Sequence, residues 1–297
     1  MSSIVVRSRA GWRATLLAGA GWVALVAGEA GAAEADQAVA AAEKVDSSGP
    51  AWLHGWSPLA DVELAVHAQE LKATGETTFG ARDSGTNTVS TLLVRLEAGV
   101  LTPNLGVLPG APRLVIRGGG SFSLRESSTI SSTQRLAGAE LGTDFATSWK
   151  DMWHAGLDLQ FRFPIGDQVI VIQPGVEYLQ SRFRFEPHFT FRAQPGSPEA
   201  QGFPNPQNPP TLNFNGRSGS DVNRFVGPSL AIESEVLRVG PLRVGVYLQG
   251  RMYWLLGDRD TTVSFARPLN GQPQSATARM EANFLAGQVG FGLRGRF

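Results

Sequence analysis

The sequence contains no cysteine, and it has only three lysines and three tyrosines among its 297 residues. Without cysteine, no disulfide can stiffen an exported chain, so its rigidity must come from strand pairing. Arginine plus lysine equals aspartate plus glutamate at 26 each, which gives no support to nucleic-acid binding. Beyond the N-terminus, no stretch approaches the roughly 18 apolar residues that a membrane-spanning helix needs.

The N-terminus has the pattern of an export signal. Arg7, Arg9 and Arg13 form a basic region, residues 14–27 form a short apolar core, and small residues around Ala32 offer a cleavage site. We therefore predict a signal peptide over residues 1–33, a periplasmic tail over 34–58 and one domain over 59–297.

Thirty-five glycines and 16 phenylalanines favour many strands joined by tight turns in that domain. Apolar and polar residues alternate there in eight segments, and a two-residue period is typical of strands with different surroundings on their two faces. The segments cover approximately residues 60–69, 89–100, 113–124, 153–163, 168–185, 225–237, 242–255 and 277–297.

The links between these segments alternate in length. Those after the second, fourth and sixth segments have about four to twelve residues, and the others have about nineteen to forty. Short periplasmic turns and long extracellular loops give this alternation, and an even strand number leaves both termini in the periplasm. The pattern predicts an all-β fold, an eight-stranded antiparallel up-and-down transmembrane β-barrel. A soluble barrel would place the apolar face inside, which the period alone does not decide.

The polar face of the segments carries a balanced set of charges, and every basic member is arginine, the side chain suited to bidentate carboxylate pairing. Such a set indicates a lumen network inside a closed barrel, either an ion-paired plug or the lining of a narrow water path. Its predicted members are Asp61, Glu63, Arg95, Glu97, Arg117, Asp158, Arg162, Glu177, Glu233, Glu235, Arg243, Arg251, Arg294 and Arg296.

The last strand stops on an aromatic residue, Phe297, after the alternating run from Leu285. With the strands and link lengths, this terminus resembles the small eight-stranded Gram-negative outer-membrane β-barrel superfamily, the OmpA membrane-domain, OmpX and OmpW-like proteins. The resemblance covers residues 59–297. It implies the outer membrane of a Gram-negative bacterium, contact with outer-membrane lipid and lipopolysaccharide, and Phe297 as the signal read by the barrel-assembly machinery. It implies architecture far more than activity.

Two prolines in consecutive segments, Pro174 and Pro228, predict a lateral seam, because proline cannot donate to a strand ladder. Such a seam would admit an apolar molecule between lumen and membrane, and two local bulges are the alternative. The proline-rich link over residues 186–223 is expected to be extended, exposed chain, either a rigid surface for a partner or a mobile cap.

Catalysis has weaker support. His154, Asp158, Glu177 and Ser181 include the ingredients of nucleophilic hydrolysis, but a lumen is poorly placed for lipid substrates and no esterase spacing is present. The four scattered histidines and a glycine run without a following helix predict no metal and no cofactor. We expect a non-enzymatic monomer that serves membrane integrity or surface interaction. A narrow channel for small or apolar solutes is the alternative, and a lipid-modifying barrel enzyme is third.

Overall fold

The structure, a computed structural model, describes residues 55–78, 82–106, 112–124, 128–135, 137–166, 168–216, 218–269 and 272–297. The predicted signal peptide and nearly all of the predicted tail lie outside these residues. No helix in the described part of the chain is both long and apolar enough to cross a membrane.

The chain forms strands along most of its described length. They are β1 (Ser57–Thr77), β2 (Arg82–Leu101), β3 (Arg113–Ser123), β4 (Ser128–Arg135), β5 (Ala139–Ile165), β6 (Gln168–Ala193), β7 (Leu212–Asn215), β8 (Gly219–Val239), β9 (Leu242–Leu256), β10 (Asp260–Leu269) and β11 (Gln272–Arg296).

Eight of these strands close into a ring in chain order: β1, β2, β3, β5, β6, β8, β9 and β11, with β11 paired back to β1. The β1–β11 ladder extends from Leu59↔Arg296 to Thr77↔Ala276, and Phe297 adds a bond from its backbone N–H to the Pro58 carbonyl. Each predicted segment lies on one ring strand. The predicted all-β, eight-stranded antiparallel up-and-down barrel is therefore confirmed.

Three shorter strands lie where the sequence predicted only loops. β4 pairs with the first part of β5, β7 with the last part of β6, and β10 with the first part of β11. The link over 186–223 is also more structured than expected, because β6 continues to Ala193 and a 3₁₀ helix spans Pro198–Gly202. These long links therefore contain sheet, which corrects the expectation of extended, exposed chain.

In one half of the barrel the outward side chains are apolar. Val62, Leu64 and Val66 of β1 are each about half exposed, at 53%, 48% and 47%, and Val289 and Phe291 of β11 are equally open. The residues between them point inward and are mostly polar or small, and they include the buried Asp61, Glu63 and His67 of β1. A soluble barrel has the reverse arrangement, since it buries its apolar face.

In their other half, the same strands have the reverse arrangement, with apolar residues facing inward and polar residues facing outward. Beyond Gln69, β1 buries Leu71 and Ala73 while Lys72 is exposed, with no break in the two-residue period. β6 changes in the same way after Glu177. The core of this half holds Leu141, Phe145, Phe183, Phe185, Phe189, Phe191, Phe214 and Met280. The barrel interior thus has a polar half and an apolar half stacked along its axis.

β5 contains a bulge that shifts its inward face by one residue. Odd-numbered residues are buried up to Trp149, and even-numbered ones from Met152 onward. Between them Asp151 has a φ of 48°, a left-handed conformation that is uncommon for a residue other than glycine. This shift explains why one alternating pattern starting at Trp153 missed the first half of the strand.

Candidate functional site

The polar half of the lumen is centred on three buried arginines that share four carboxylates. Arg95 donates to Glu97 at 2.9 Å and to Glu177 at 2.9 Å, and its other guanidinium nitrogen donates to Gln288 at 3.0 Å. The guanidinium and both carboxylates are fully shielded from solvent. Charge-assisted bonds of this kind are the strong ones in a dry interior.

Arg117 and Arg251 extend this central cluster to the other walls. Arg117 donates to Glu97 at 2.7 Å and to Asp158 at 2.6 Å, and lies 2.8 Å from Glu177. Arg251 donates to the Glu63 carboxylate through two nitrogens, at 2.5 and 2.7 Å, and to Glu177 at 3.0 Å. Glu177 therefore contacts all three arginines and also accepts a bond from the Tyr253 hydroxyl.

A second cluster lies towards the end of the barrel that holds the C-terminus. Arg294 binds Asp61 through bonds of 2.6 to 2.8 Å and reaches Glu233 at 3.3 Å. Arg296 also pairs with Glu233. Arg162 and Arg296 both approach Glu235, at 2.7 and 3.5 Å, where the side chains begin to reach solvent.

Tyr247 joins the two clusters. Its hydroxyl donates to Glu63 at 3.1 Å, while the Arg294 guanidinium lies over its ring at 4.6 Å from the centroid. A cation over an aromatic face is stabilised by the ring quadrupole. Tyr247 thereby connects the two clusters across the barrel. The remaining predicted lumen residue, Arg243, is half-buried at the rim opposite Arg296.

Glycines make the room for these side chains. A Cβ on Gly290 would overlap the Glu63 carboxylate, and one on Gly175 would overlap that of Asp158. A Cβ on Gly156 would meet the Arg117 guanidinium at 3.1 Å. The charged groups therefore pack directly against the backbone of the neighbouring strand, and this close packing is that of a filled interior.

Sequence reasoning missed the neutral members of the network. Gln173, Gln249, Gln288, Tyr247 and Tyr253 all bind the arginines or their carboxylates. Their positions share the inward parity of the charged residues, so the alternation already contained the signal.

The candidate catalytic residues do not form a hydrolytic arrangement. His154 Nε2 lies 3.1 Å from Glu97, while Asp158 and Glu177 are held by arginines. Ser181 is buried, and its hydroxyl has no hydrogen-bond partner among the described residues. In the same part of the chain, no group of three or more histidine or acidic side chains could hold a metal ion.

The prolines do not produce the predicted lateral seam. The β6–β8 ladder keeps one register from Ile170↔Ser234 to Phe185↔Gly219, passing through both Pro174↔Leu230 and Val176↔Pro228. Around Pro228, the neighbouring β8–β9 ladder skips Gly227 and Pro228 and resumes in the same register at Ser229↔Arg251. The alternative of local irregularity fits, because an interruption of two consecutive residues leaves the wall closed.

Comparison with known proteins gives a likeness of architecture only. No protein-family model and no curated protein matches the chain. Among solved structures, Neisserial surface protein A is similar at 11% identity, with 81% of this chain and 96% of that chain covered and a TM-score of 0.29. The outer membrane protease OmpT from Escherichia coli is similar at 11% identity, 81% and 97% coverage and a TM-score of 0.29. At these values neither likeness transfers an activity.

Proposed function

We propose that this chain is a non-enzymatic barrel of the Gram-negative outer membrane that is closed to ions and acts in membrane integrity or surface interaction. The observation that carries the proposal is the inverted polarity of one half, apolar outside and ionic inside. Such an exterior is stable in contact with lipid, because in water this large apolar face would be exposed to solvent at a cost in free energy.

Two interior features favour a closed lumen. The polar half is filled by the arginine–carboxylate clusters. The apolar half is filled by packed aromatic rings: the centroid of the Phe145 ring lies 5.7 Å from that of Phe185 and 5.8 Å from that of Phe189. An eight-stranded barrel is only just wide enough for its own side chains. A path for ions would have to displace both layers.

The half with the apolar core is then the extracellular part. Its outward residues are mostly polar, as in a water-soluble sheet, and it carries β4, β7 and β10. In this proposal it presents a rigid surface to the medium, and the apolar band contacts lipid and lipopolysaccharide. The barrel-assembly machinery reads Phe297, and the protein is a monomer.

Conductance in planar bilayers tests the closed lumen. We expect no discrete current steps at either polarity in salts of different ion size, with insertion checked by flotation of protein-containing vesicles so that silence does not reflect absent protein. Reproducible unitary steps from inserted protein would overturn the proposal and favour the narrow channel.

Single-cysteine labelling tests the orientation, because the native chain has no cysteine to interfere. Asp144→Cys lies on the exposed face of the extracellular half, and Arg238→Cys lies near the opposite end of the barrel. On intact cells, a membrane-impermeant maleimide should label the first and spare the second. The reverse pattern would refute the orientation.

A further inference from the structure

A row of outward-facing aromatic residues marks the end of the apolar band on β5, β6, β8 and β9. The Trp153 ring lies 5.1 Å from the Tyr178 ring, Tyr178 pairs in register with Val226, and Val226 pairs with Trp254. Both tryptophans are exposed. Tryptophan and tyrosine are enriched where a membrane meets water, because their rings are apolar and their tips are polar. In the proposed orientation this aromatic row lies at the outer boundary of the membrane.

Arg224 lies one outward position beyond the aromatic row, towards the extracellular half. Its in-register neighbours are Gln180 on β6 and Leu256 on β9, and the flanking outward residues of its own strand are Val222 and Val226. All four neighbours are uncharged, and Arg224 takes part in no ion pair within the part of the chain that the structure describes. A cation at a membrane boundary attracts anionic headgroups, so this position favours an anionic ligand.

A second guanidinium lies close to the first. Arg182 pairs in register with Val222, which places it diagonally across the β6–β8 ladder from Arg224, at a distance of about 7–8 Å or less between Cβ atoms. Arg182 donates to Asp151 at 2.9 Å, but these two side chains are 57% and 68% exposed, so the pair is weak and can exchange its carboxylate for another anion. Two arginine side chains at this spacing can converge on one phosphate group.

Gln180 adds a further donor between the aromatic row and the two arginines. The Tyr178 hydroxyl donates to the Gln180 amide oxygen at 3.1 Å, which fixes the amide group on the barrel surface. The amide nitrogen of Gln180 is a donor, as are all the guanidinium nitrogens of Arg182 and Arg224. An anion with several oxygen atoms is therefore the ligand that matches this set.

The apolar wall on the other side of the aromatic row decides what kind of anion fits. Val176, Leu230 and Met252 are each about half exposed there, on β6, β8 and β9. Gly250 pairs in register with Leu230 on one side and Val289 on the other, and a Cβ added to it would have no atom within 4 Å. The wall thus has a shallow apolar depression beside the donors. A lipid covers both surfaces, whereas a soluble anion covers only the first.

We propose that the outer surface of β6, β8 and β9 around Arg224 is a binding site for a phosphate-bearing lipid of the outer leaflet. The guanidinium groups of Arg182 and Arg224 and the Gln180 amide bind the phosphate, and the acyl chains lie along the apolar wall past Trp254. The site rests on the membrane orientation of the proposed function, and it does not depend on the closed lumen.

Native mass spectrometry of the full chain, released from neutral detergent micelles, tests the site with diphosphoryl lipid A as the probe. We expect saturable binding, and Arg224→Gln should raise the dissociation constant about 3–10-fold, the effect of losing one charge-assisted contact. Arg192→Gln is the matched control, because Arg192 is an exposed arginine near the far end of β6. Both substitutions remove one positive charge, so long-range attraction changes equally. Circular dichroism checks that each variant keeps its β-sheet.

Dephosphorylated lipid A separates recognition of the phosphate from general affinity for lipid. Weaker binding of this form supports the site. Equal constants for the two lipids, or for Arg224→Gln and Arg192→Gln, overturn it. Displacement of lipid A by an equal concentration of inorganic phosphate also overturns it, in favour of a soluble phosphate ligand. Absence of lipid A binding in a protein that shows the expected cysteine labelling refutes this site and leaves the proposed function standing, whereas reversed labelling overturns both.

Discussion

Arg251 and Glu63 depend on each other unequally, and this predicts an asymmetric loss of stability. Glu63 is 1% exposed and has Arg251 as its one cationic contact in the described part of the chain, with the Tyr247 hydroxyl as a further donor. Arg251 has further acceptors in Glu177 at 3.0 Å, Gln249 at 2.8 Å and Glu97 at 3.4 Å. Removing the arginine therefore leaves a buried carboxylate without a cation, whereas removing the carboxylate leaves the arginine paired.

For Arg251→Met we expect the free energy of unfolding to fall by about 3–5 kcal/mol, the cost of stranding a buried charge. For Glu63→Gln we expect a loss of about 1–3 kcal/mol, since one buried contact is weakened and the others remain. The double variant Glu63→Met/Arg251→Met should lose less than the sum of the two corresponding single methionine variants, with a coupling of roughly 1–3 kcal/mol.

The measurement is urea unfolding in lipid vesicles, followed by tryptophan fluorescence, with the slope against urea checked for each variant. The control is Arg82→Met, which breaks a 2.9 Å pair with Glu76 whose partners are 71% and 53% exposed. It should change stability by no more than ~1 kcal/mol. A loss below ~1 kcal/mol in Arg251→Met would show a hydrated cluster and refute the dry, filled lumen.

Four further outcomes follow from the same structure and can be read by the same unfolding assay or by cell fractionation. Gly290→Ala should destabilise the barrel because its Cβ would overlap Glu63. Gly287→Ala, whose Cβ would have no atom within 4 Å, should leave the free energy of unfolding unchanged or raise it by about 0.5–1 kcal/mol, and equal effects of the two substitutions would contradict the close packing. Phe189→Ala should cost about 3–5 kcal/mol by opening the apolar core of the barrel, and a loss near zero would mean that this core is not packed. Leu64→Arg on the outward apolar face should cost about 2–4 kcal/mol in bilayers, and tolerance there would argue against lipid contact. Phe297→Ser should lower the amount of barrel recovered in the outer membrane. The free energy of unfolding of the protein that does insert should change little, because Phe297 is 59% exposed, and normal recovery would argue against its role in assembly.

Much of the ring was predictable because a strand whose two faces have different surroundings alternates between apolar and polar residues along its sequence. Asp61 and Val62 already show which face is which in β1, whereas its register with β11, with a shift between Gln69 and Leu71, is seen only in the structure. The segment predicted on β1 ended at Gln69 for a physical reason. Beyond it the period is unchanged but the polarity is reversed, so Leu71 does not continue the outward apolar series.

The candidate lumen set was chosen by charge, and the partners within it could not be read from the sequence. Glu177 and Arg251 lie on β6 and β9, which are separated in the ring by β8, and Arg95 reaches Glu177 from β2 across the interior. Such contacts depend on the barrel's closure and on the lengths of the side chains. Alternation on each strand carries no information about them.

By itself, the sequence determined the strand order, the two faces and the charge-balanced inner surface, because each of these is local to a strand or to its immediate link. Only the tertiary structure decided what those faces meet. It placed ionic clusters next to an apolar core along the barrel axis and kept the β6–β8 ladder in one register through Pro174. These features arise where residues far apart in the chain come together around a closed ring. Within β5, the bulge at Asp151 shifts the inward-facing positions by one residue and so decides which side chains enter the interior.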